Sequence, residues 1–161
     1  MRVSSGALPP CGLYRTALAI GEVPAGRLVY FHNHGDPGPG LYLPERWAAN
    51  RADFSPRGTT LPIVFDPGAL VALPAEGFYR VAAAVFCCEK QCVRFEPDAF
   101  VQLGYNGAGR ALLFVPELAG GAIAIPDRGT PINDAALAQL VALRVTERRN
   151  ELALPRGIVV H

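Results

Sequence analysis

AFVQLGYNGAGRALLFVP, residues 99–116, reads as two strands around a tight reversal. Val101, Leu103 and Tyr105 alternate with Phe100, Gln102 and Gly104, and Ala111–Val115 returns. Between them Asn106 and Gly107 are expected to supply the positive φ angles of a short turn. Leu112 and Phe114 fall on one face of the return strand, Leu113 and Val115 on the other. A hairpin that is apolar on both sides belongs at the centre of a sheet or at an interface.

The rest of the chain repeats this grammar. Its 17 Gly and 15 Pro leave little room for long helices, and short apolar runs recur between turn signals. Strands are expected near residues 13–20, 27–33, 40–43, 60–65, 69–73, 78–88, 92–95, 99–105, 111–115, 121–125 and 152–160. Two segments break the β pattern. Glu45–Arg51 is expected to form a short helix opening at Pro44 with Trp47 turned inward. Asn133 is placed to cap a second helix over about residues 134–140, which feeds a strand over about 141–146. The expected fold is mostly β: a single domain over residues 1–161, an antiparallel β-barrel or β-sandwich with one or two short helices. A chain of 161 residues buries roughly 70% of its unfolded surface, enough for a core without staples.

Composition bounds the partners. Half of the residues are hydrophobic and only 18% are charged, which points to self-association as a homo-oligomer or to docking on a protein partner. The 15 basic and 14 acidic residues are spread along the chain, leaving no electrostatic footprint for nucleic acid. No apolar run reaches the length of about 18 residues that a membrane-spanning helix needs. Pro9, Pro10 and Arg15 interrupt the only candidate for a leader, so a cytoplasmic location is expected.

Two stretches carry possible chemistry. In GRLVYFHNHGDPGPG, residues 26–40, a strand puts Leu28, Tyr30, His32 and His34 on one face and Val29 and Phe31 on the other. Two imidazoles one residue apart can then serve one divalent metal ion. The spacing of Gly26, His32 and His34 resembles the first cupin motif, in which a glycine and five residues precede a His-x-His pair. That resemblance implies a small barrel with a metal site, enzymatic or ligand-binding. The cupin glutamate is replaced here by Gly38 or Pro39, with Asp36 and Glu45 the nearest carboxylates, and the only further histidine is His161.

The second stretch is FCCEKQCVRF, residues 86–95. With Glu89, Lys90 and Gln91 at a hairpin tip, Cys88 and Cys92 face each other as a disulfide or thiol pair, and Cys87 is expected to point the other way. Lys90 can favour a thiolate there. No Gly-x-Ser-x-Gly elbow and no phosphate-binding glycine loop occurs, so no catalytic residue and no organic cofactor is assigned. The residues favour a non-catalytic binding or assembly module, with the His32 and His34 metal site as the alternative.

Overall fold

The computed structural model describes residues 7–35, 38–62 and 64–148, and every strand pairing among them is antiparallel. The protein is mostly β. One five-stranded sheet runs, in spatial order, Thr59–Thr60, Gly40–Tyr42, Leu28–His32, Gly12–Thr16, Leu70–Ala72. A second runs Thr130–Pro131, Ala111–Phe114, Phe100–Tyr105, Gly77–Val81, Leu140–Ala142. Neither closes on itself. Among the described residues there are also three two-stranded ribbons: Pro44–Ala48 with Arg51–Phe54, Val85–Phe86 with Arg94–Phe95, and Glu117–Ala119 with Ala122–Ala124. The expected strand over 152–160 lies outside the described residues, as do Asp36 and His161.

Asn133 caps the one described α-helix, Asp134–Leu137, its Oδ1 accepting from the Ala136 N–H at 3.0 Å. The strand Leu140–Ala142 follows. The long strand expected over 78–88 is broken into Gly77–Val81 and Val85–Phe86.

The strand Leu28–His32 has a core on each face. Leu28 packs with Val101, Leu103, Tyr105 and Leu113 of the second sheet, whereas Val29 and Phe31 pack with Tyr14, Val23, Leu41 and Leu70. Leu28, Val29 and Phe31 are completely buried, and burial of such side chains contributes about 1.5–3 kcal/mol each.

The 99–116 hairpin is central to its sheet, with Gln102 opposite Phe114 and Tyr105 opposite Ala111. Its turn differs from expectation: the positive φ falls on Gly109 (72°), not on Asn106 or Gly107. The cause is the Asn106 side chain, whose Oδ1 accepts from the N–H groups of both Ala108 and Arg110 at 3.0 Å. That local bonding favours a five-residue loop over a two-residue one.

The second face of this hairpin is covered by a segment that includes Glu45–Arg51, expected to be helical. Pro44–Ala48 and Arg51–Phe54 form a ribbon instead, because Ala49 and Asn50 take left-handed φ angles of 49° and 63° and reverse the chain in two residues. The Asn50 amide donates to Gln102 Oε1 and to the Pro126 carbonyl, both at 2.9 Å, while Gln102 Nε2 donates to the Ala49 carbonyl at 3.0 Å. These bonds satisfy the buried Gln102. A Cβ on Gly104 would lie 2.6 Å from the Asn50 carbonyl oxygen, so only glycine fits beneath the ribbon. Trp47 is not turned inward: it is 43% exposed, held by an indole N–H donated to the Tyr105 carbonyl at 2.8 Å.

Candidate metal centre

Strand alternation places Tyr30 and His32 on one face, where their rings lie 4.7 Å apart. The edge of Tyr42, from the neighbouring strand, meets His32 at 5.4 Å, and the His34 ring follows at 5.5 Å. The partner strand on the other side supplies what the sequence reading missed. Gly12 pairs with Phe31, so Cys11 arrives beside the end of the histidine strand, and the Asn33 N–H donates to its sulfur at 3.3 Å. One donor atom each from Cys11, His32 and His34 lies within 4.8 Å of the others. Reading residues 13–20 and 27–33 as one hairpin with this register would have revealed Cys11; its long separation from the histidines hid it.

One edge of this group matches a tetrahedral metal site. A tetrahedral zinc with Zn–S of about 2.3 Å and Zn–N of about 2.05 Å separates sulfur and nitrogen ligands by about 3.6 Å. Cys11 Sγ lies 3.6 Å from His34 Nδ1. Asn33 Oδ1 sits between them, 3.2 Å from the sulfur and 3.0 Å from the nitrogen. In a metal-free protein it accepts the thiol proton; around a metal the same carbonyl can act as a weak fourth donor or orient the ligands. His32 Nδ1 is buried and has no hydrogen-bond partner among the described residues, which costs about 1–3 kcal/mol unless a ligand satisfies it.

The segment carrying Cys11 is tied down from behind. Asn33 Nδ2 donates to the Pro9 carbonyl at 3.4 Å, and the Tyr14 hydroxyl donates to the Pro10 carbonyl at 2.6 Å. Burial, with the Cys11 sulfur nearby, raises the Tyr14 phenol above its ordinary range and keeps it a donor.

The other sulfur group sits at the tip of the ribbon Val85–Phe86 and Arg94–Phe95. Gln91, at a φ of 54°, closes the turn by donating its N–H to the Cys88 carbonyl at 3.0 Å. Cys88 and Cys92 come within 4.0 Å, both as free thiols. Cys87 is buried in the core, yet it does not turn away from its neighbour as expected: its sulfur lies 3.4 Å from that of Cys88. The Cys88 thiol is pulled down to about 7, first by the Cys92 backbone N–H and then by the Cys87 thiol, while Cys88 pushes Cys92 up. The histidines gather with Cys11, not with these three thiols.

Among the described residues, no helix is long and apolar enough to cross a membrane. No protein-family model matches the chain, and comparison with curated proteins and with solved structures gives no match.

Proposed function

We propose that this protein is a metal-binding β-domain in which Cys11, His32 and His34 hold one divalent transition-metal ion, with Asn33 as orienting residue or weak fourth ligand. The observation that carries the reading is the convergence of a thiol and two imidazoles, with a sulfur–nitrogen edge of 3.6 Å. A thiolate with two imidazoles suits zinc or copper better than magnesium or calcium, which prefer oxygen. The ion cross-links the chain before one strand to the chain after its neighbour, a structural role more than a catalytic one. Free cysteines agree with a reducing, cytoplasmic setting. The two open sheets, sharing Leu28 in a common core, favour a sandwich over a barrel.

Tag-free protein titrated with zinc should bind one equivalent per chain, and cobalt should give the thiolate-to-metal absorption of a sulfur-ligated site. Binding should release protons and weaken in acid, because the thiol must ionise and both imidazoles must be neutral. Failure of the wild type to take up stoichiometric zinc or cobalt refutes the reading.

A second reading, docking on a protein partner or on another copy, rests on the ribbon Glu117–Ala119 and Ala122–Ala124. Its cross-strand pair Leu118 and Ile123 is 80% and 62% exposed. Light scattering of wild type and Leu118→Ser/Ile123→Ser tests it: a wild-type oligomer that dissociates in the variant supports docking, and a wild-type monomer removes the self-association form of it.

A further inference from the structure

We propose that the Cys88–Cys92 turn is a dithiol–disulfide exchange site whose substrates are small anionic disulfides, with Cys88 the attacking residue and Cys92 the resolving one. The inference is independent of the metal centre. The two sulfurs lie 4.0 Å apart at an exposed turn, so a bond of about 2.05 Å needs only a local shift of roughly 2 Å. Cys88 is half-buried at the edge of an open depression of about 450 Å³, lined also by Glu89, Lys90, Arg110 and Asn133. Two cations against one carboxylate give that depression a net positive charge, which draws an anionic substrate and favours a thiolate.

Three features assign the order of attack. The Cys92 backbone N–H and the Cys87 thiol both stabilise negative charge on the Cys88 sulfur. Cys88, not Cys92, lines the depression that holds Lys90 and Arg110, where an anionic substrate is drawn, and Cys92 holds its proton more tightly. Cys87 is fixed in the core and accepts the Val93 N–H at 3.3 Å, so it serves as a positioning residue for Cys88.

The chemistry balances. The Cys88 thiolate attacks one sulfur of a disulfide R–S–S–R; the S–S bond breaks, a Cys88–S–S–R bond forms and one RS⁻ leaves. Cys92 then gives up its proton and attacks the Cys88 sulfur. The Cys88–Cys92 bond forms and a second RS⁻ leaves. The protein dithiol is oxidised, the small disulfide is reduced to two thiols, and the protons come from the protein thiols and solvent.

The test uses the full chain, fully reduced, with dithionitrobenzoate as the probe and peptide mapping to assign each sulfur. Wild type should release two thionitrobenzoates from this turn in one fast phase and end with Cys88 bridged to Cys92. Cys92→Ser should release one and keep an adduct on Cys88, and Cys88→Ser should lose the fast phase. Retention of the fast phase in Cys88→Ser, or a lasting adduct on wild-type Cys88, overturns the assignment. For substrate charge, dithiodipropionate should react faster than cystamine, each rate normalised to a free thiol, and Lys90→Gln/Arg110→Gln should abolish the preference. Equal normalised rates in wild type, or a preference untouched by the double substitution, overturn the anionic-substrate claim.

Discussion

The corner at Cys11 and the turn at Cys88 both present sulfur, but their neighbours differ. Around Cys11 stand two imidazoles and a carboxamide, neutral donors with lone pairs to share. Around Cys88 stand two other thiols, a lysine, an arginine, a glutamate and a carboxamide, with two cations against one carboxylate and no imidazole among the described residues. The first environment converges neutral donors on one point, as a bound cation needs, whereas the net positive charge of the second favours a thiolate nucleophile. Their construction differs as well. Strand register brings Cys11 to residues more than twenty positions away, whereas a single turn brings Cys88 to Cys92. The same element acquires opposite chemistry from what the fold sets beside it.

The largest effect that separates the two corners is ligand removal. Cys11→Ala and His32→Ala should each abolish stoichiometric zinc uptake, measured by calorimetry, and the stabilisation that zinc confers. With free zinc a hundredfold above its Kd, that stabilisation is about 2.7 kcal/mol by mass action. Cys88→Ser should keep both. Loss of zinc binding in Cys88→Ser, with retention in Cys11→Ala, would exchange the roles assigned to the two sites.

The contrast in construction explains what could be read from the sequence. The central hairpin, the Asn133 cap and the turn joining Cys88 to Cys92 are local, and each is signalled by neighbouring residues. His32 and His34 were legible as a pair because strand period two puts them on one face. Cys11 was not, because its place depends on Gly12 pairing with Phe31, a register that only the folded sheet specifies. The expectation of a helix over Glu45–Arg51, where the structure has a ribbon, fails for the same kind of reason. Its turn residues, Ala49 and Asn50, lack the Asn-Gly signature, and its support comes from Gln102 and Tyr105, far along the chain. The central hairpin's turn failed on a smaller scale, since Asn106 bonds its own backbone rather than taking a left-handed φ.

Next in size is the orienting residue. Asn33 touches Cys11, His34 and the Pro9 carbonyl, so Asn33→Ala should weaken zinc binding about 10–100-fold without abolishing it. A loss as complete as that of His32→Ala would make Asn33 an obligatory ligand. No change would reduce it to a bystander and weaken the case for a prearranged site.

A smaller effect belongs to the other corner. With its thiol at about 7, Cys88 is about half thiolate at pH 7, so its alkylation by iodoacetamide should fall about fivefold at pH 6 and gain only about twofold at high pH. The shift is downward, so the folded protein favours the thiolate. In denaturant the same midpoint should rise towards the usual cysteine range of about 8.5. Cys92, shifted upward, should be alkylated at higher pH than Cys88 in the folded chain. Coincident profiles for the two, followed by mass spectrometry, would erase the asymmetry on which the order of attack depends.

The smallest effect is the most discriminating for the metal corner. His34 is exposed and lies beyond the strand end, so without metal its removal should alter stability by no more than about 0.5 kcal/mol. His32 is less clean: truncating it loses contacts with Tyr30 and Tyr42 but also removes a buried nitrogen with no hydrogen-bond partner among the described residues, two effects of opposite sign. Urea unfolding of His34→Ala in chelator should therefore superimpose on wild type, and the same pair in zinc should separate by the full metal increment. A difference above about 1 kcal/mol in chelator would mean that the hydrogen bonds among Cys11, Asn33 and His34 are themselves what the corner is built for. Near-identity in chelator with divergence in zinc leaves coordination as the reason an exposed imidazole is held 3.6 Å from a thiol.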